Sequence, residues 1–112
     1  NMHTIKPIDK VAIKDACNSK LVVTIEEHNV IGGLGSAVAE ELSKYKNKSK
    51  FLPIGIQDQY TGGGDYKFLL RKHDLDIEGI FNKIIENYKI KGYLSKAFVK
   101  ITVMIKPYFR YN

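Results

Sequence analysis

Two neighbouring stretches in the first third of the chain carry residue types that could do chemistry. Glu26, Glu27 and His28 follow an apolar run, and a glycine-rich turn at residues 32–36 comes soon after them. A carboxylate beside an imidazole can move a proton or bind a ligand, and the backbone amides at the start of a helix can hold an anion. The candidate anion or regulatory site therefore comprises Glu27, His28, Gly32, Gly33, Gly35 and Ser36.

More specific sites require patterns that these stretches lack. A dinucleotide-binding turn follows G-x-G-x-x-G or ends in Ala, whereas the sixth residue here is Val38. Successive strand residues point to opposite faces, so only one of the two glutamates is expected near His28. His28 has no second histidine four residues later, which argues against a helical metal site. Glycines that permit a tight strand-to-helix turn are the simpler interpretation.

The remaining reactive residue types form no catalytic group in the sequence. Cys17 is the single cysteine, which excludes an internal disulfide and predicts a small buried side chain rather than a nucleophile. His73 lies at the end of a charged helix, and both it and His3 are expected to be bystanders. We therefore predict no catalytic, cofactor-binding or metal-ligating residue in this chain.

The elements that must position these residues follow an α/β order. The apolar, β-branched run at residues 21–25 predicts a strand buried on both faces, as in a parallel sheet. A second strand at 51–56 contains Pro53, which favours the edge of a sheet. Helices are predicted at about 10–18, 37–42, 66–73 and 77–90, with Asp9, Asp65 and Asp76 as N-caps. The last helix has apolar residues at helical spacing: Ile77, Ile80, Phe81, Ile84, Ile85 and Tyr88.

The positive charge lies at the C-terminal end. The formal net charge is +6, yet residues 1–88 hold as many basic as acidic residues, and the excess falls in residues 89–112. Charge confined to one end does not indicate a nucleic-acid surface, so nucleic acid is not an expected partner. No apolar run approaches the ~20 residues of a membrane helix, and residues 1–14 do not read as a signal peptide. We expect a cytoplasmic protein with no membrane partner.

A third strand is predicted at about residues 98–105, within this basic segment. Its apolar content would let it fill part of an open sheet edge, but its connection gives no reason for it to dock beside residues 21–25.

Two long blocks of the sequence resemble the C-terminal domain of transketolase. They are residues 2–9, MHTIKPID, and residues 22–40, VVTIEEHNVIGGLGSAVAE. Shorter similar segments follow, so the resemblance covers about residues 1–88. The same domain occurs in 1-deoxyxylulose-5-phosphate synthase and in the pyruvate dehydrogenase β subunit, but the MHTIKP start favours transketolase.

The resemblance implies a three-layer α/β/α domain with a mostly parallel sheet, whose first strands and helix are missing from this chain. Asp74 stands where the family often has glycine, and an aspartate also tolerates a left-handed turn. Residues 89–112 match nothing in the domain and are expected to be a basic extension of unknown role. A sheet without its first strand leaves an apolar edge uncovered, so we expect a marginally stable chain that dimerises or aggregates.

The resemblance also implies a function. Transketolases of the pentose phosphate pathway transfer a two-carbon ketol unit between sugar phosphates, using thiamine diphosphate and a divalent cation that upstream domains bind. This chain is then a non-catalytic packing or regulatory part, inactive alone, and its partners are the remaining transketolase domains or subunit, or a second copy. Two alternatives stay open: the matching domain of 1-deoxyxylulose-5-phosphate synthase, and a small α/β module that binds an anionic ligand at residues 32–36.

Overall fold

Helices and strands alternate along the chain as the sequence predicts. The computed structural model describes residues 1–46, 49–89 and 101–106. The elements are α1 (Lys10–Ala16), β1 (Leu21–Asn29), α2 (Leu34–Leu42), β2 (Lys50–Ile56), α3 (Tyr66–Lys72), α4 (Ile77–Lys89) and β3 (Ile101–Ile105). Strand β1 runs four residues further than predicted, because the polar residues after Ile25 continue the extended backbone. The candidate residues Glu27 and His28 therefore belong to the strand itself.

The three strands form one parallel sheet with the order β2-β1-β3. Leu21 of β1 lies opposite Lys50 of β2, and the pairing continues in register to Ile25 and Ile54. The edge position predicted from Pro53 is confirmed, since β2 is an outer strand and a residue without an N–H group is tolerated there.

The pairing of β3 corrects an expectation from the sequence. Residues 21–25 of β1 lie opposite residues 101–105 of β3, so the edge that we expected to be uncovered is paired along its apolar part. The Met2 amide donates to the Ile105 carbonyl at 2.9 Å, and the Lys106 amide donates to the Ile25 carbonyl at 3.3 Å. The physical reason is that an apolar strand edge offers unpaired amides and carbonyls that another apolar strand can satisfy. Residues 98–100 of the predicted strand lie outside the described residues.

Alternation along β1 divides the core into two clusters, one on each face of the sheet. Val22 packs with residues of α1 and α2, including Ile13, Leu34 and Val38. Leu21 and Val23 face the other way and pack with Ile54, Leu75, Leu70, Ile80 and Ile84. The architecture is therefore α/β/α, with α1 and α2 on one face of the sheet and α3 and α4 on the other.

Helix α4 is only partly buried by this packing. Ile80 and Ile84 contact the second core cluster. Ile77 and Phe81, which the sequence pattern places on the same apolar stripe, are 90% and 60% exposed. The apolar stripe is thus wider than the face that the sheet covers.

The three helices with aspartate N-caps begin where the sequence predicts, whereas α2 begins at Leu34, three residues before its predicted start. The carboxylates of Asp9, Asp65 and Asp76 accept hydrogen bonds from the amides of Ala12, Lys67 and Gly79 at 2.9–3.1 Å. Asp74 has a φ of 53°, which confirms the left-handed turn that the sequence allowed between α3 and α4.

Candidate functional site

The carboxylate of Glu26 caps the N-terminal end of helix α2. Its two oxygens accept hydrogen bonds from the amides of Leu34 (2.6 Å) and Gly35 (3.1 Å), and its side chain is buried. These amides belong to the first turn of the helix, where donors have no partner within the helix and the helix dipole favours negative charge. The chain itself therefore supplies an anion at the place where the sequence suggested an external one.

Two glycines of the turn make room for this carboxylate and for the helix. A Cβ atom added at Gly33 would lie 2.8 Å from the Glu26 Cδ atom, and one added at Gly35 would lie 3.1 Å from the Pro53 Cβ atom. Gly32 has the positive φ of the turn, at 80°. Conformational freedom is thus required at Gly32, whereas Gly33 and Gly35 are required for close packing.

Hydrogen bonds within the turn join its two ends. The Ser36 hydroxyl accepts from the Gly32 amide at 2.9 Å and donates to the Val30 carbonyl at 3.1 Å. His28 is exposed, and its Nδ1 atom lies 3.1 Å from the Asn29 carbonyl oxygen. The structure brings the glycines and Ser36 of the candidate site together. Anion binding by this site stays a prediction from the sequence.

Glu27 points to the opposite face of the sheet from Glu26, because successive residues of a strand alternate between the two faces. Its carboxylate accepts a hydrogen bond from the Tyr66 hydroxyl of α3 at 2.7 Å. Both residues line a cavity of about 200 Å³ between the sheet and α3. The apolar part of the cavity wall is formed by Ile56, Leu69, Leu70 and Leu75.

His73 is the residue of this cavity that the sequence analysis missed. It was expected to be a bystander in a charged helix end, but it lines the cavity and is only 7% exposed. Its Nδ1 atom lies 3.3 Å from the side-chain amide nitrogen of Gln59. Its Nε2 atom is buried and has no hydrogen-bond partner in the part of the chain that the structure describes. The available signal was its spacing, because Leu69 and Leu70 precede it by one helical turn and Leu75 follows it.

A third cluster of polar side chains lies at the other end of α2. The Glu41 carboxylate accepts hydrogen bonds from Lys44 Nζ at 2.7 Å and from the Tyr45 hydroxyl at 2.8 Å. The hydrogen bond from Lys44, and after it the one from Tyr45, lowers the pKa of Glu41. The same carboxylate raises the pKa of Lys44 and that of Tyr45. These contacts tie α2 to the segment that follows it.

Within residues 1–46, 49–89 and 101–106, no three His, Cys, Asp or Glu side chains come close enough to hold a metal ion. No helix in the same part of the chain is both long and apolar enough to cross a membrane.

Comparison with known proteins defines the class to which this domain belongs. The profile of the transketolase C-terminal domain family matches residues 1–80, and the chain belongs to that family. A solved structure of a split-gene transketolase, described as an inactive beta4 tetramer, superimposes with a TM-score of 0.68 at 36% sequence identity. That match covers 81% of this chain and 30% of the other chain.

Two curated relatives show the range of the family. The putative transketolase C-terminal section of Methanocaldococcus jannaschii is 44% identical over 88 residues, covering 79% of this chain and 27% of that protein. The 1-deoxy-D-xylulose-5-phosphate synthase of Caldanaerobacter subterraneus is 36% identical over 90 residues, covering 80% of this chain and 14% of that protein. This chain therefore spans only a small part of the relatives that it matches.

Proposed function

We propose that this chain is the C-terminal, non-catalytic part of a transketolase, an enzyme that transfers a two-carbon ketol unit between sugar phosphates. The observation that carries the proposal is the set of hydrogen bonds made by Glu26. Its carboxylate accepts hydrogen bonds from two backbone amides beside the glycine-rich turn, so the segment whose residue types best suited a reactive site stabilises the fold instead. Such a domain contributes by packing against the parts of the enzyme that hold the reacting groups.

Thiamine diphosphate and a divalent cation belong, in this proposal, to the remaining transketolase domains. A diphosphate–metal clamp needs several oxygen ligands that converge on one cation. The described residues bring no three potential ligands together, so they do not fit that group. The partners of this chain are then the remaining transketolase domains or subunit, in a cytoplasmic enzyme.

Exposed apolar side chains on α3 and α4 support contact with such a partner. Phe68, Ile77 and Phe81 are 57–90% exposed, and large exposed apolar side chains mark surfaces that other protein covers. We propose this apolar surface as the contact with the remaining domains or with a second copy of the chain. The tetrameric state in the description of the related solved structure supports self-association.

A complementation assay tests the proposal. A transketolase truncated before its C-terminal domain is supplied with thiamine diphosphate and Mg²⁺, and ketol transfer between sugar phosphates is measured with and without this chain. We expect no transfer by the chain alone and transfer by the mixture. The Gly63→Ala variant, where an added Cβ meets no described atom within 4 Å, is the control that still complements. Glu26→Ala, which disturbs α2, does not complement.

The outcomes separate the proposal from its competitor. Ketol transfer by the pure chain alone would overturn the non-catalytic role. The identity of 36% to a 1-deoxy-D-xylulose-5-phosphate synthase favours that enzyme as the second candidate parent. Complementation of a synthase truncated in the same way, without complementation of the transketolase, would assign the chain to the synthase instead.

A further inference from the structure

We propose that the cavity between Glu27 and His73 binds a small, uncharged ligand that has one ring and one oxygen acceptor, which pairs with His73 Nε2. This inference does not depend on the proposed function, because it rests only on the cavity and the side chains around it. The cavity lies where β1 and β2 end, and ligands of open α/β sheets usually bind beyond the carboxyl ends of the strands.

The size and lining of the cavity set the size of the ligand. Its volume is about 200 Å³, and four of the side chains that line it are Ile56, Leu69, Leu70 and Leu75. An apolar protein cavity of about 150 Å³ is large enough to bind benzene. This cavity therefore has room for one six-membered ring with one or two small substituents.

The contacts of His73 set the polar group of the ligand. The side-chain amide nitrogen of Gln59 lies 3.3 Å from Nδ1 and is a donor, so this contact favours the tautomer in which Nδ1 accepts and Nε2 is the donor. Among the residues that the structure describes, Nε2 is buried and meets no hydrogen-bond partner. Nε2 itself is closed to solvent, so pairing with a ligand oxygen requires the His73 ring to turn toward the cavity that it lines. An unpaired buried donor is costly, so an oxygen acceptor that meets it there stabilises the complex.

The carboxylate of Glu27 sets the charge of the ligand. It lines the same cavity, where it accepts a hydrogen bond from the Tyr66 hydroxyl. A ligand with a carboxylate or phosphate would place a second negative charge near it in a partly desolvated space, which is unfavourable. An uncharged oxygen, such as a phenol hydroxyl or a ketone, meets His73 without that repulsion.

Titration of the full 112-residue chain with three matched probes tests the inference. The probes are 4-methylphenol, toluene, which lacks the acceptor, and 4-methylbenzoate, which is charged. Binding is followed by NMR shifts of the Leu69, Leu70 and Leu75 methyl groups. We expect saturable shifts with 4-methylphenol, and at least tenfold weaker binding of toluene and of 4-methylbenzoate.

Two variants assign the preference to the two polar residues. His73→Phe keeps a planar ring at this position and removes the donor, so 4-methylphenol should bind no better than toluene to this variant. Glu27→Gln should improve 4-methylbenzoate binding several-fold and leave toluene unchanged. The inference is overturned if no methyl group shifts at millimolar 4-methylphenol, if toluene binds as well to the original chain, or if the shifts occur outside the cavity.

Discussion

Glu26 and Glu27 are neighbours in the sequence, yet they lie in opposite environments on the two faces of β1. Glu26 is buried and accepts two backbone hydrogen bonds from α2, so its side of the sheet is closed. Glu27 accepts the Tyr66 hydroxyl at the wall of a cavity, so its side is open. The end of β1 thus holds a helix on one face of the sheet and lines a cavity on the other, and residue type alone does not tell which glutamate has which role.

The largest expected effect comes from deleting residues 101–112. This deletion removes β3 and leaves one edge of β1 without a paired strand. Strand β1 pairs with β2 along one edge and with β3 along the other, and both core clusters pack on this central strand. We expect the cooperative thermal transition to be lost and the chain to associate, because an apolar strand edge becomes exposed. Circular dichroism melting and sedimentation of the truncated and full chains measure this. A truncated monomer that melts at the same temperature would show that β3 is dispensable.

The next effect separates the two glutamates directly. Glu26→Ala leaves the buried amides of Leu34 and Gly35 without an acceptor, and each unsatisfied buried donor costs about 1–3 kcal/mol. We therefore expect the free energy of unfolding to fall by about 3 kcal/mol in urea denaturation. Glu27→Ala removes only the contact with Tyr66 and should cost about 1 kcal/mol or less. Equal losses for the two variants would remove the distinction between the faces.

A pair of glycine variants sharpens the same distinction. A methyl group at Gly33 would overlap the Glu26 carboxylate, so we expect Gly33→Ala to destabilise the fold by about 1–3 kcal/mol. A Cβ atom added at Gly63 meets no atom of the described residues within 4 Å, so Gly63→Ala is the control and should leave the melting temperature nearly unchanged. If Gly33→Ala and Gly63→Ala melt at the same temperature, the Glu26 carboxylate does not need the space beside Gly33.

These effects also show what the sequence could and could not predict. The N-caps at Asp9 and Asp65 were predicted correctly, since a cap depends on residues within one helical turn. The parallel sheet followed from the apolar run at 21–25. The sequence offered the third strand as a partial cover for the sheet edge, but its pairing with β1 depends on residues distant in the chain. The burial of His73 was missed although its spacing from Leu69 and Leu70 gave a local signal, because contacts such as that with Gln59 arise only in the tertiary fold.

The smallest expected effect lies at the other end of α2. Hydrogen bonds from Lys44 and Tyr45 lower the pKa of Glu41. A carboxylate whose folded pKa is lowered stabilises the fold above its unfolded pKa, about 4.3, and this stabilisation is lost as the pH falls through the folded value. Glu41→Gln should therefore melt below the original chain at pH 7, and the gap should narrow in acid. A gap that widens in acid would contradict the assignment.

The most direct test of the closed face is an NMR titration of the full chain with inorganic phosphate, followed at the amides of Leu34 and Gly35. The Glu26 carboxylate already accepts both donors. The structure therefore predicts no saturable shift of either amide signal up to millimolar phosphate. In the Glu26→Gln variant, the substitution itself should strongly shift both amide signals before any phosphate is added. Saturable shifts of these two amides in the original chain would contradict this prediction, because they would show that the glycine-rich turn binds an external anion despite its own glutamate.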